Sequence, residues 1–152
     1  LYGDIMFRGY ILKGLMESDR EITIVVDSSK TKIKNEDTTD FALCSESDNR
    51  ELWGRDIELR GIIHPENKVT EQITGQWIGM IRIKDEGYVW FKKAAEELNA
   101  RPNANKYSLA DLLNQIIKNG HRIRVIYIHG HWLNINSLVD LGEAGDFSSY
   151  EN

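Results

Sequence analysis

The chain has 152 residues with a formal net charge of −5 at pH 7, and 41% of its residues are hydrophobic. This length allows one domain with a substantial core, while the acidic balance argues against nucleic acid as a partner, because phosphate binding favours a basic surface. A single cysteine, Cys44, excludes an intrachain disulfide framework and favours a cytoplasmic location, and no apolar run reaches the roughly 18 residues of a membrane helix.

The start of the chain predicts a helix between two β-strands. The opening "LYGDIMF" indicates the end of a buried strand and then a turn at Gly3–Asp4. Residues 8–18 have apolar side chains at helical spacing. Residues 21–29 are β-branched and nearly all apolar, which is typical of a central parallel strand buried on both faces.

The middle of the chain predicts short strands separated by loops. Residues 30–54 are polar and weakly patterned, which predicts a long loop with one short strand at 41–44. Residues 56–64 alternate between apolar and polar side chains and predict a strand that Pro65 ends. Residues 67–84 are rich in β-forming side chains, so we expect a further strand there.

The rest of the chain predicts three helices and one strand. The helices are expected at residues 85–100, at residues 108–120 and from residue 137 onward, and the strand at residues 121–130. Asp85, Ser108 and Ser137 are the expected N-caps of the three helices. Asp111 completes a capping box with Ser108, and Gly120 is the glycine that ends the second helix.

This alternation of strands and helices predicts the α/β class with a mixed, mostly parallel sheet in one domain, residues 1–152. Polar side chains cluster at three predicted strand ends, namely Gly3–Asp4, Asp27 and 129–136. In such sheets, ligands bind beyond the carboxyl ends of the strands. We therefore expect these clusters to converge if their strands are neighbours.

Each polar residue of these clusters allows a structural and a functional interpretation. Asp4 can cap the next helix or bind magnesium. Asn134 and Asn136 fit a turn before a helix, although an amide oxygen is also a legitimate ligand of a hard cation. His131 and Trp132 can pack structurally or border a ligand, and Trp132 offers a ring face to a cationic head group.

A glycine pair defines a further candidate. In "TGQWIGM", residues 74–80, Gly75 and Gly79 lie on either side of Gln76, Trp77 and Ile78. Glycines around an aromatic residue indicate a backbone that closely approaches a ligand, or alternatively a β-bulge. The pattern leaves both interpretations open.

Four segments taken in order make the chain recognisable: "YGDIMF", "ITIVVDSS", "GQWIGMIRIKDEG" and "DLLNQIIKNGHRIRVIYIHGHWLNINSLVDL". Together they resemble the nucleotidyltransferase domain that follows phosphoenolpyruvate mutase in phosphonate-producing organisms. That domain is similar to sugar-phosphate and phosphocholine cytidylyltransferases. The resemblance covers residues 2–147, and its last segment is the most specific.

The resemblance implies a Rossmann-like, three-layer α/β/α nucleotide-diphospho-sugar transferase fold. It implies magnesium-dependent nucleotidyl transfer from a nucleoside triphosphate, CTP in this reading, to a phosphonate or phosphate acceptor such as 2-aminoethylphosphonate. By resemblance, Asp4 and Asn136 hold the magnesium ion and serve catalysis. The expected substrate-binding residues, which border the acceptor, are Gln76, Trp77, Gly79, His131, Trp132 and Asn134.

Two features depart from the family pattern. The family usually has an acidic residue at the position of Gln76 and often an aspartate at that of Asn134. The family's glycine-rich nucleotide loop precedes "YGDI", so the resemblance implies a carboxyl-terminal portion of the transferase domain that is inactive alone. The alternative is a degenerate, non-catalytic module for ligand binding or assembly. A sheet with an unpaired edge would also favour a homo-oligomer.

Overall fold

The computed structural model describes residues 5–32, 40–49, 55–66, 72–102 and 106–135. Within them it contains seven strands and three helices. The strands are β1 (Ile5–Phe7), β2 (Ile22–Asp27), β3 (Phe41–Cys44), β4 (Leu59–Ile63), β5 (Gly75–Ile83), β6 (Arg124–Ile128) and β7 (Trp132–Asn134), and the helices are α1 (Gly9–Glu17), α2 (Gly87–Asn99) and α3 (Leu109–Lys118). The helices α1 to α3 and the strands β2 to β6 match the predicted elements in type and order, but two strands differ. The first strand, β1, follows Gly3–Asp4, whereas the sequence predicted a strand that ends there, and β7 lies in the polar segment for which no strand was predicted. The helix predicted from residue 137 lies outside the described residues.

The main sheet has five strands in the order β4-β3-β5-β2-β6. The α/β class and the mixed sheet are confirmed, but the sheet is not mostly parallel. Among its neighbouring pairs only β2 and β6 run parallel, and β4-β3, β3-β5 and β5-β2 are antiparallel. A parallel pair needs a long crossover, usually helical. Among the described residues such helices, α2 and α3, occur between β5 and β6, whereas no described helix separates β2, β3, β4 and β5.

Helices cover both faces of the sheet, which gives the three expected layers. All six residues of β2 are buried, because its alternate side chains enter two different cores. Ile24 and Val26 pack with Leu113 and Ile116 of α3. Val25 packs on the opposite face in the core formed with α1, to which Trp132 also contributes.

The strands β1 and β7 form a separate antiparallel pair. Ile5 lies opposite Asn134, and Phe7 lies opposite Trp132. Side chains from both strands pack against the core on the α1 face of the main sheet. The pair therefore fixes the start of the described chain against its end.

The end signals of α3 are confirmed and the predicted cap of α2 is wrong. Ser108 and Asp111 form a capping box, and Gly120 has φ +87°. Asp85 has φ +47° and lies before the helix. The cap position is Glu86, whose side chain makes no capping hydrogen bond. The α2 helix is instead fixed at its start by close backbone packing, because a Cβ on Gly87 would lie 2.6 Å from the Glu21 carbonyl oxygen.

The outer edge of β6 is partly hydrogen-bonded within the chain. The Leu59 amide donates to the Ile123 carbonyl at 2.9 Å, and the Val125 amide donates to the Ile57 carbonyl at 2.8 Å. The amino-terminal half of this edge is thus occupied, and association through it stays a prediction. None of the helices in the described ranges has the length and apolarity that crossing a bilayer requires.

Candidate functional site

A buried carboxylate organises the carboxyl end of β2. Asp27 is 1% exposed and accepts hydrogen bonds from four donors. Its Oδ1 atom accepts from the Ser29 amide at 2.9 Å, the Ser29 hydroxyl at 2.7 Å and the Gly130 amide at 3.1 Å. Its Oδ2 atom accepts from the Trp132 indole Nε1 at 2.7 Å. One side chain therefore connects β2 to the segment between β6 and β7.

The hydrogen bonds decide the ionisation of Asp27. Burial alone would raise its pKa, because it disfavours the charged form. The bonds from Ser29, Trp132 and Gly130 favour the carboxylate and outweigh this effect, so the pKa of Asp27 lies below its ordinary value. Asp27 is therefore an ionised acceptor at neutral pH, which suits a structural anchor better than a proton donor.

The segment between β6 and β7, residues 129–131, forms a tight turn that we call the 129–131 turn. Gly130 has φ +73° and His131 has φ +65°, so two successive residues adopt the left-handed conformation. The His131 carbonyl accepts from the Arg8 amide at 3.1 Å. The His131 Nδ1 atom lies 2.8 Å from the Tyr10 hydroxyl. The start of α1 thus holds the turn from one side and Asp27 from the other.

Trp132 is part of the core and also borders this turn. It is 8% exposed, and the ammonium group of Lys30 lies 5.0 Å from its ring centroid. A cation of the protein itself therefore occupies a face of the indole. A cationic head group would have to compete with Lys30 for this position.

Asn134 carries an unsatisfied polar atom beside β1. Among the described residues, its Oδ1 atom is buried and has no hydrogen-bond partner. Such an orphan is uncommon and indicates a missing partner. Asp4 and Asn136, the expected magnesium ligands, lie outside the described residues. The strands that lead to them are nevertheless paired, since Ile5 lies opposite Asn134.

The other expected acceptor residues lie on β5, which is buried inside the sheet. Gln76 is 4% exposed and lies opposite Asp27. Trp77 is 2% exposed, packs in the core on the α2 and α3 face, and donates through Nε1 to the Met80 carbonyl at 3.3 Å. Trp77 is thus a core residue. Gln76, in contrast, lies on β5 opposite Asp27 and therefore beside the candidate site.

The two glycines of this segment support the structural interpretation. Gly79 has φ +78° and lies where the register between β2 and β5 shifts, which is a β-bulge. At Gly75 a Cβ would lie 2.6 Å from the Asp27 carbonyl oxygen. The close approach that the glycine pattern indicated is therefore to the neighbouring strand β2.

A cavity of about 380 Å³ lies beside the ends of β2 and β6. It is lined by Ser28, Asp48, Tyr127, Ile128 and His129. The Ser28 hydroxyl bonds to Asp48 at 2.5 Å and to the Ile128 carbonyl at 3.1 Å. Hydroxyl, imidazole and carboxylate groups thus border a space large enough for a small polar molecule.

Sequence reasoning located this region but missed several of its residues. Asp27 was recognised only as a polar strand end, and Ser29, Tyr10 and Lys30 were not selected. An Asp followed two residues later by Ser is a signal of a side-chain-to-backbone turn, which could have indicated Ser29. Tyr10 and Lys30 contact the site only through tertiary folding, so no local pattern reveals them.

The described residues alone do not make up a metal site. Within the described ranges no group of three or more His, Cys, Asp or Glu side chains could hold a metal ion. The orphaned Asn134 oxygen is a donor of the type that magnesium and calcium accept. The residues present are thus compatible with magnesium, provided that further oxygen ligands complete the set.

Comparison with protein-family models and with curated proteins gives no match. Among solved structures, the chain is similar to the inositol-1-phosphate CTP transferase from T. maritima, with a TM-score of 0.63 and 17% identity over 97% of this chain and 52% of that one. It is also similar to the nucleoside-diphosphate-sugar pyrophosphorylase from Vibrio cholerae RC9, with a TM-score of 0.52 and 15% identity over 95% of this chain and 52% of that one. The chain therefore shares the fold of these enzymes and spans about half their length.

Proposed function

We propose that the chain belongs to a nucleotidyltransferase that joins a nucleoside triphosphate, with CTP as the preferred candidate, to a small phosphonate or phosphate acceptor. The observation that carries the proposal is the pairing of β1 with β7, which places Ile5 opposite Asn134. This pairing joins the strands that lead to Asp4 and Asn136, in a fold shared with a CTP transferase.

In this proposal Asp4 and Asn136 hold magnesium, and Asn134 contributes its orphaned amide oxygen. Magnesium, when bound, neutralises the negative charge of the triphosphate and of the in-line transition state. The chain itself contributes positioning. The 129–131 turn and β7 are fixed by Asp27, so the oxygen donors near Asn134 have a defined place.

The acceptor would bind at the carboxyl ends of β2 and β6, in the cavity of about 380 Å³. Lys30 and Trp132 do not line this cavity. An acceptor that extends from the cavity to the Trp132 ring would present an anionic group there, since the Lys30 ammonium lies over the ring and opposite charges attract. 2-Aminoethylphosphonate fits if its phosphonate, and not its amine, faces Lys30. Fusion to phosphoenolpyruvate mutase, which would supply a phosphonate precursor, remains part of the proposal.

The test is a product assay by ³¹P NMR. The chain, and the longest natural polypeptide that contains it, would be incubated with CTP, magnesium and 2-aminoethylphosphonate or phosphocholine. We expect the longer polypeptide to form pyrophosphate and a cytidylyl-acceptor product in equal amounts, and the chain alone to form neither. Asp4→Asn should reduce the rate by more than about 100-fold. Loss of a residue that only contacts a metal ligand typically costs about 10- to 100-fold, and loss of the ligand itself should cost more. Asp19→Asn, an exposed carboxylate at the opposite end of the sheet, is the matched control.

Two results would contradict the proposal. One is the absence of both products with every acceptor and triphosphate tested in the longer polypeptide. The other is a rate that Asp4→Asn and Asp19→Asn reduce equally. Either result would favour the non-catalytic binding or assembly module.

A further inference from the structure

One buried side chain connects three elements that meet at the candidate site. Asp27 lies at the end of β2, and its carboxylate accepts from Gly130 in the turn and from Trp132 at the start of β7. Ser29 supplies two more donors from the chain that leaves β2. Both oxygens are thus occupied by protein donors, so Asp27 is suited to holding the backbone in place.

The 129–131 turn needs such a partner. Gly130 and His131 both adopt the left-handed conformation, which a non-glycine residue such as His131 adopts only at a cost. A conformation of this kind persists when surrounding contacts determine it. The contacts here are the two bonds to Asp27 and the bond from the Arg8 amide to the His131 carbonyl.

The effect of Asp27 extends from the turn to β1. Trp132 is the first residue of β7, and it lies opposite Phe7. The same ladder continues to Asn134 and Ile5. Fixing Trp132 by its indole nitrogen therefore fixes the register of a short pair, which has only three residues on each strand and little stability of its own.

We propose that Asp27 is the positioning residue of the site. It holds the 129–131 turn and Trp132, and through the β1–β7 ladder it sets the relative placement of the two strands that lead to Asp4 and Asn136. The catalytic part of this inference rests on the proposed function. The structural part, which concerns the turn and the ladder, is independent of it.

The test compares Asp27→Asn with Thr23→Val in ¹⁵N-labelled protein. Asn keeps one acceptor oxygen and replaces the other with an amide group, so that the donors on one side of the carboxylate lose their acceptor. Thr23 is also buried on β2, where its hydroxyl bonds to Ser18 at 2.7 Å. It therefore reports the loss of one buried hydrogen bond at the other end of the same strand. Trp132→Phe removes the indole donor together with part of a buried ring, and it assigns the indole resonance.

Three readouts separate positioning from general destabilisation. In Asp27→Asn we expect the Trp132 indole N–H resonance to shift and the amides of β1 and β7 to exchange with solvent at least about 10-fold faster. The affinity for Mn²⁺, used as a paramagnetic probe of the magnesium site, should fall about 10- to 100-fold, as for other outer-shell changes. Thr23→Val should leave all three unchanged, and Trp132→Phe should speed exchange at the same amides.

The inference is overturned if Asp27→Asn and Trp132→Phe leave the exchange of β1 and β7 amides unchanged. It is also overturned if Thr23→Val speeds that exchange equally. If Asp27→Asn does not fold, Trp132→Phe decides the question. If the unaltered protein binds no Mn²⁺ near β1 and β7, the proposed magnesium site fails, while the exchange and indole measurements still decide the role of Asp27.

Discussion

Acidic side chains lie at both ends of β2, but they have different partners. At the carboxyl end, Asp27 is buried and fully hydrogen-bonded. At the amino end, Asp56 forms exposed ion pairs with Arg20 and with Arg124, the latter at 3.4 Å. These pairs border a cavity of about 280 Å³. One carboxylate, that of Asp27, thus holds the backbone in place. The other, that of Asp56, forms ion pairs at the water-exposed surface.

This difference indicates which acidic residues contribute most to the stability of the fold. An exposed ion pair contributes about 0–1 kcal/mol, because water and salt screen it. A buried carboxylate that loses its place leaves several donors unsatisfied, at about 1–3 kcal/mol for each. Substitution of the acidic residue at the amino end should therefore change the stability of the fold little, while substitution of Asp27 at the carboxyl end should reduce it strongly.

The largest expected effect is that of Asp27→Ala. This substitution leaves the Gly130 amide and the Trp132 indole without their acceptor, so we expect a loss of roughly 3–5 kcal/mol in unfolding free energy. Asp56→Ala is the matched control and should cost no more than about 1 kcal/mol. Urea denaturation of both variants measures the difference; equal losses would remove the distinction between the two ends.

The next effect is a pH dependence that Asp27 supplies. Its pKa in the folded chain lies below the ordinary value, which is about 3.9 in an unfolded chain. Ionised Asp27 therefore stabilises the fold above about pH 4, and this contribution is lost as the pH falls through the folded-state pKa. Of the titratable groups packed around this site, Tyr10 interacts electrostatically with Asp27, His131 contacts Tyr10, and Lys30 contacts the Trp132 ring.

The measurement is the unfolding free energy from pH 7 to pH 2 for the unaltered chain and Asp27→Asn. Their difference should be constant above about pH 5 and shrink below about pH 4. Thr23→Val, which introduces no titratable group, should differ from the unaltered chain by the same amount at every pH. A difference that stays constant for Asp27→Asn down to pH 2 would show that Asp27 does not carry this contribution.

A smaller effect is expected from alanine at two glycines with open surroundings. A Cβ on Gly130 or on Gly14 would meet nothing within 4 Å. Gly130 has φ +73°, so Gly130→Ala should destabilise the chain by about 1–2 kcal/mol. Gly14 lies within α1, so Gly14→Ala should stabilise it by about 0.5–1 kcal/mol. Thermal unfolding checks both, and a Gly130→Ala variant as stable as the unaltered chain or more stable would contradict the left-handed turn.

The smallest effect is that of Arg20→Ala at the amino end of β2. Its ion pair with Asp56 is partly exposed on both sides, so we expect a change within about 1 kcal/mol that diminishes as salt is raised. Unfolding at low and high ionic strength measures it. A loss that is large and independent of salt would place this end in the same class as the carboxyl end.

The elements were predictable where one local signal dominated. The apolar run of β2 indicated burial on both faces, and Ser108 with Gly120 marked the ends of α3. Strand direction was not predictable in this way, because pairing between β2 and β5 depends on tertiary contacts. Asp85 failed as a cap because the backbone there adopts φ +47° before the helix begins.

The location of the site was predictable from the sequence, but the contacts that hold it together were not. Polar residues after strands indicated the region of Asp27 and Trp132. The hydrogen bond between them spans 105 positions in the sequence, so no local pattern contains it. The partners Tyr10 and Lys30 are ordinary helix and loop residues until the fold brings them to His131 and Trp132.

The most direct test of the central claim is a Mn²⁺ titration, with CTP present, of the ¹⁵N-labelled longest natural polypeptide that contains the chain, followed by amide line broadening. The account predicts broadening that is strongest at Ile5 and Asn134, weaker along the 129–131 turn, and reversed by excess Mg²⁺. Broadening centred on the cavity near Arg20 and Arg124, or no selective broadening at any metal concentration, would contradict a magnesium and nucleotide site at the carboxyl end of β2.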